Sequence, residues 1–285
     1  MSGGSGSGGF WRAFARNKGA VIGLIFLALV ILMALFADVV FPTSPWDMTT
    51  IPFQPPLSDD ALLGSDTLGR DIASGIAHGA RVSLLIGLTS TAVAVLIGVM
   101  LGALAGFHGG WVDDAVMRFT ELFQTIPNFV LAVVLVAIFT PSIASIVLAI
   151  AIVSWPPLAR LARGEFMSLR SREFVQAAVT TGQSNLTIIV RQILPNSLSP
   201  IIVSASLMVA TAILLESSLS FLGLGDPNLM SWGYMVGAAR TVIRQAWWMS
   251  FFPGVAILLT VLALNLVGEG LNDALNPKLA RKGRA

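Results

Sequence analysis

The sequence contains no cysteine and only two histidines, His78 and His108. Disulfides, thiolate nucleophiles and cysteine-based metal sites are therefore excluded, as is an all-histidine catalytic metal site. Charge is scarce as well: 11% of the 285 residues are Asp, Glu, Lys or Arg, and the formal net charge is +2. A nucleic-acid surface needs clustered positive charge, so nucleic acid is not an expected partner. No G-x-x-x-x-G-K-[ST] run occurs, so any ATP must be hydrolysed by another chain. What the chain has in abundance is hydrocarbon. With 55% hydrophobic residues and a mean hydropathy of +0.82, it is not an ordinary soluble globule.

A bilayer core of roughly 30 Å takes about 20 apolar residues of helix, and a charge placed in it costs a few kcal/mol, so charge-free runs mark the spans. Five such runs lie between Lys18 and Asp38, Arg81 and Asp113, Glu121 and Arg160, Arg191 and Glu216, and Arg244 and Glu269. The third is nearly twice a bilayer in length. Thr140-Pro141-Ser142 near its middle stops one helix and caps the next, which makes six spans. Pro127 is expected to kink the third span. Of 17 Lys and Arg residues, only Arg70, Arg81, Arg240 and Arg244 fall in outer loops, so both termini are expected on the cytoplasmic side. The first span has basic residues before an apolar core, as a secretory signal does. Asp38-Val39-Val40-Phe41-Pro42 offers no small-residue cleavage pattern, and the span is read as an anchor.

The expected organisation is a cytoplasmic arm over 1–18, whose Gly/Ser run Met1 to Gly9 reads as flexible, and a first span over 19–40. A periplasmic segment over 41–81 and a five-helix core over 82–275 follow, with a basic cytoplasmic tail over 276–285. Two loops exceed what connection requires. The outer segment is Pro-rich in its first half, then runs Leu63-Gly64-Ser65-Asp66-Thr67-Leu68-Gly69-Arg70-Asp71, whose charges can pair with each other or with a protein surface. The inner segment 160–196 is basic and amphipathic. Ser171 is placed to N-cap a helix with Glu173 in its first turn, and Phe174, Ala177 and Ala178 share one face. Gly182 can end that helix in the left-handed conformation. Ser184 or Asn185 then caps a second short helix with Leu186, Ile189, Ile193 and Leu194 on its apolar side, ending at Pro195. An amphipathic pair resting on lipid would explain the spacing nearly as well.

Gln176-Ala177-Ala178, Gly182 and Ile193-Leu194-Pro195 resemble the EAA loop of inner-membrane permease subunits of ABC importers. Further stretches resemble the second permease of the dipeptide, oligopeptide and nickel group: Leu63 to Asp66 with Gly69-Arg70-Asp71, Gly79 to Leu84, Glu216 to Gly225, and Phe252-Pro253-Gly254 through Gly268. The resemblance covers nearly the whole chain and implies an all-α, polytopic membrane protein with six transmembrane helices, the type I ABC importer permease fold. It also implies a bacterial inner-membrane location, a homologous permease partner forming a heterodimer, two cytoplasmic ATPase subunits holding ATP and Mg, and an extracytoplasmic substrate-binding protein. By that resemblance Gln176, Ala177, Ala178, Gly182, Ile193, Leu194 and Pro195 couple to the ATPase, Asp66, Arg70 and Asp71 receive the binding protein, and the permease itself is non-catalytic and binds no cofactor. Two positions depart from the pattern: Gln176 stands where the family commonly has an acid, and Gly75 where it often has Arg.

Single residues leave alternatives open. Glu216 and Ser217 either line the translocation path or form a helix-end group, Glu216 pairing with Arg81 or bonding to Ser217 or Ser218. Trp247 and Trp248 read as interfacial anchors, and the basic tail is placed to neutralise Glu269 and Asp273. The substrate reading is a short peptide, with nickel or a metal chelate as alternative and glutathione or another small solute open. An ion-coupled secondary transporter using Glu216 is a weaker reading, and an intramembrane hydrolase is weaker still because His78 and His108 sit at opposite ends of one span.

Overall fold

The computed structural model describes residues 6–58 and 60–275, and all its regular elements among these are helices. In chain order they are α1 (Gly6–Arg16), α2 (Lys18–Leu35), α3 (Ala37–Val40), α4 (Ile72–His108), α5 (Gly110–Gln124), α6 (Asn128–Ile138), α7 (Ile143–Arg170), α8 (Glu173–Thr180) and α9 (Asn185–Thr187). A π-helical turn, Ile188–Ile193, leads into α10 (Leu194–Phe221), followed by α11 (Trp232–Ala239) and α12 (Trp248–Leu275).

Five helices are long and apolar enough to cross a membrane: α2, α4, α7, the helix running through α9 to α10, and α12. The pair α5 and α6, bent by 82°, meets the same length and composition test when taken together, which brings the count of candidate spans to six. Pro127 lies at that break, where it cannot donate to the preceding turn, as its sequence position predicts. The expected turn at Thr140 to Ser142 is also present: Ser142 caps α7 by accepting from Ser145 N, and Ser145 returns the bond to Ser142 N in a capping box.

The second span begins earlier than its charge-free run. Asp71 caps α4 by accepting from the N–H groups of Ala73 and Ser74, so the helix starts inside the expected 41–81 segment and is 37 residues long. At about 1.5 Å per residue it is long enough to project beyond a bilayer core. Arg81 therefore sits on a helix, and its side chain reaches the end of the first span, donating to Ala34 O at 3.0 Å and to Asp38 Oδ2 at 3.1 Å. Of the amino-terminal Gly/Ser run expected to be flexible, residues 6–9 belong to α1, and residues 1–5 lie outside the described residues. The basic tail, and with it the expected neutralisation of Glu269 and Asp273, lies outside the described residues; Asp273 accepts from Asn17 Nδ2 at 3.0 Å.

The tightest seam joins α4 to α7. A Cβ on Gly102 would stand 2.4 Å from Ala159 O, and one on Gly106 would stand 2.6 Å from Arg163 O. Only glycine permits backbones that close, the small-residue packing by which helices associate where no water drives them together. Arg163 on α7 forms a two-pronged ion pair with Asp113 on α5, tying the broken span to the same seam.

Candidate functional site

The candidate site is the segment after α7. Ser171 does not cap α8: it ends α7, and its hydroxyl donates to Ser168 O at 3.0 Å. Arg172 occupies the cap position with no side-chain bond, while Glu173 lies in the first turn of α8 as expected. The buried face of α8 is Val175 and Ala178, packed with Phe107, Phe166, Ile188 and Ile193. Phe174 and Ala177 are exposed, so Phe174, Ala177 and Ala178 do not form one buried face. Gln176 is exposed too, and its amide donates to Arg170 O at 3.1 Å.

Gly182 adopts φ +76°, and Gly182 N and Gln183 N donate to Val179 O and Ala178 O at 3.0 and 3.1 Å. This left-handed turn closes the last carbonyls of α8, as the sequence predicts. A Cβ at Gly182 would meet nothing within 4 Å, so the requirement for glycine is conformational and not steric crowding. Ser184 caps α9 by accepting from Thr187 N. The second helix does not end at Pro195. It passes through the proline because the π turn bonds Leu194 N to Ile189 O, and widening the turn before Pro195 relieves the clash that its ring would make with an α-helical carbonyl. Ile193 is fully buried and Leu194 half-buried, whereas Pro195 is exposed. Of the apolar set on this helix, Leu186 is exposed and Ile189 half-buried.

The result is a helix, glycine turn and helix with its inner face set into the bundle and Phe174, Gln176, Ala177, Val179 and Leu186 facing away from it.

At the other end of the bundle the segment before α4 bonds largely to itself, although Gln54 Oε1 and Arg70 Nε are buried without a hydrogen-bond partner. Ser65 Oγ donates to Ile51 O at 2.6 Å and accepts from Gln54 N at 2.8 Å. Asp66 accepts from Leu68 N and Arg70 N, Arg70 lies 4.9 Å over the ring of Trp46, and Asp71 is the α4 cap. Of the three expected docking charges, Asp66 and Asp71 thus hold nearby backbone N–H groups, and Arg70 lies against Trp46 and 3.6 Å from Asp66. Trp248 is not an interfacial anchor: it is 7% exposed and donates its indole N–H to Ser65 O at 3.0 Å, while Trp247 remains half-exposed at 52%.

Glu216 is 1% exposed and does not pair with Arg81. Its Oε1 accepts from Ser220 and Ser231 hydroxyls, each at 2.7 Å, and its Oε2 from Ser217 at 3.4 Å; Ser218 donates instead to Leu214 O. Ser231 caps α11, so the carboxylate fixes that short helix against α10. Trp232, the next residue, donates to Ser83 Oγ and Ile76 O of α4. Glu216 therefore faces the chain's own interior, whereas Ser217 lines an open groove of about 350 Å³ with Phe129, Ser218, Phe221 and Gly254. These hydroxyl partners and the α4 to α7 glycine seam are packing features that the spacing of charges did not disclose.

His78 is separate from this cluster. Its Nε2 lies 3.2 Å from Asp38 Oδ1, and His108 lies at the far end of the same helix, as expected. The hydrogen bond from Arg81 holds the Asp38 carboxyl below its ordinary range. Among the described residues no three His, Asp or Glu gather as a metal site.

The chain is similar to known proteins over most of its length. The chain is 44% identical over 95% of its length, and 91% of the relative's, to the di/tripeptide transport system permease protein of Pseudomonas aeruginosa. It is 41% identical to the glutathione transport system permease protein of Pectobacterium atrosepticum, over 95% of the chain and 90% of that relative. The oligopeptide transport system permease protein of Bacillus subtilis is 37% identical, over 94% and 88% respectively. Among solved structures, the inward-facing MetNI methionine ABC transporter superposes with a TM-score of 0.60 at 15% identity, covering 71% of this chain and 96% of that one, which is a likeness of fold. Residues 7–56 match the N-terminal transmembrane domain of oligopeptide transport permease C. Residues 98–281 match the binding-protein-dependent transport system inner membrane component, and the chain belongs to that family.

Proposed function

We propose that the chain is one of two homologous permease subunits of an ATP-driven importer for short peptides, lying in a bacterial inner membrane with both termini in the cytoplasm. The substrate class rests on what the relatives' names share: dipeptides, tripeptides, oligopeptides and glutathione all present an amide backbone with charged ends. The observation that carries the coupling role is the exposed face of α8 and its glycine turn on a buried base. ATP closes two partner ATPases, the α8 to α9 unit moves with them as a lever, and the paired permeases alternate between inward and outward openings. ATP and Mg belong to those partners. Gln176 supports docking through its amide, an uncharged contact where an acid would make an ionic one. Ser217 and its neighbours on the groove are candidates for the path surface, and Glu216 serves it from behind by holding α10 to α11. The outer loop serves as a rigid landing for the binding protein, shaped by Asp66, Arg70 and Asp71.

The test is uptake by proteoliposomes holding the assembled complex and its binding protein, with radiolabelled dipeptide, tripeptide and nickel chelate. ATP-dependent accumulation of peptide alone is expected. Accumulation of the chelate alone would reject the substrate class, and accumulation driven by a pH gradient without ATPase subunits would reject the importer class.

A further inference from the structure

We infer that α1 is a membrane-surface helix that binds anionic phospholipid headgroups through Arg12 and Arg16. The helix ends one residue before a membrane span: Asn17 is extended, at φ −83° and ψ 97°, and caps α2 by accepting from Ala20 N. A span starting at Lys18 leaves α1 at the level of the headgroups. Phe14 pegs it there. This ring is 4% exposed and packs where a Cβ on Gly270 would come within 2.9 Å, at the inner end of α12.

Around the helix, successive residues turn by about 100°. Phe10, Trp11 and Phe14 fall on one arc and form a ring cluster with centroids 5.3 to 6.4 Å apart. Trp11 is 59% exposed. Arg12 and Arg16, four residues apart on the opposite arc, are exposed, as is Lys18 below them. Among the described residues none of the three forms an ion pair, and the nearby Asp273 is engaged by Asn17. An aromatic arc at the hydrocarbon boundary and unpaired cations beside it are the two components of interfacial binding to an anionic leaflet. Charge complementarity and continuity with the bilayer thus favour lipid over a protein as the occupant.

The chain has no cysteine, so Trp11→Cys supplies a unique spin-label site. The full chain is placed in nanodiscs of phosphatidylcholine with phosphatidylglycerol, with and without the ATPase subunits. The label is expected to be accessible to oxygen and shielded from an aqueous nickel reagent. In the otherwise unaltered chain, spin-labelled phosphatidylglycerol should be enriched around the protein over phosphatidylcholine, each Arg contributing roughly fivefold at its own site. Arg12→Gln with Arg16→Gln should lower that enrichment, and Arg12→Lys with Arg16→Lys should retain it. Equal enrichment in the Gln and Lys variants would overturn the inference. So would a label at position 11 that is open to nickel, or shielded only when ATPase subunits are present, which would mark α1 as a protein-docking face.

Discussion

Ser231 donates its hydroxyl to Glu216 Oε1 over 2.7 Å, joining the start of α11 to a span residue fifteen positions earlier. Ser220 donates to the same oxygen, so one carboxylate organises two elements at the outer end of the bundle.

Glu216→Ala should destabilise the chain by about 1 to 3 kcal/mol by leaving the Ser220 and Ser231 hydroxyls without an acceptor. Glu216→Gln keeps an acceptor oxygen and should lose less. Thermal unfolding in detergent, followed by circular dichroism, measures both; equal losses would show that the hydrogen bonds are not what matters.

Gly182→Val places a β-branched residue at φ +76°, a conformation costing about 1 to 3 kcal/mol locally. Ala177→Asp adds a charge to the exposed face without touching the buried Val175 and Ala178. Both should abolish ATP-driven uptake while the spans remain folded. Normal uptake with normal ATPase assembly would remove the coupling assignment.

Gly102→Val, unlike those two, should disturb the packing of the spans themselves, because its Cβ would meet Ala159 O at 2.4 Å and force α4 from α7. Overpacking of this kind costs about 1 to 3 kcal/mol. A lowered yield of folded chain and a lower unfolding temperature are expected, with Gly110→Val, where a Cβ meets nothing within 4 Å but φ is +55°, as a comparison for strain without crowding.

Asp38 supplies a pH dependence where α3 meets α4. Its carboxyl titrates below the ordinary 3.8 because Arg81 donates to the charged form. The tie from α3 to α4 is therefore intact above that ordinary value and weakens as pH falls through the lowered one. Carboxyl carbon NMR should find the Asp38 midpoint below 3.8 and returning toward it in Arg81→Gln; an unmoved midpoint would refute the assignment.

Asp71→Ala removes the α4 cap and should cost about 1 kcal/mol, whereas Arg70→Ala loses a contact with Trp46 worth about 0.5 to 1 kcal/mol. If the loop acts as a rigid landing, the triple change of Asp66, Arg70 and Asp71 to Ala should raise the half-saturating binding-protein concentration in an ATPase assay. An unchanged value in a folded variant would leave the loop with a packing role alone.

Composition and charge spacing by themselves determined that this chain is helical, spans the membrane and breaks at Pro127 and Pro141, because a charge in hydrocarbon and a proline in a helix each carry a local penalty. Gly182 and Ser184 were legible for the same reason: a left-handed turn and an N-cap depend on a few adjacent residues. The glycine spacing at 98, 102 and 106 was also there to be read, but which helix fills those notches depends on the distant Ala159 and Arg163. Tertiary structure alone decided that Glu216 turns inward to Ser231, that Trp248 is spent on Ser65, and that Arg81 reaches Asp38. Those choices follow from which distant donor meets which acceptor once the helices pack, and a burial penalty on a carboxylate or an indole says only that some partner must be found.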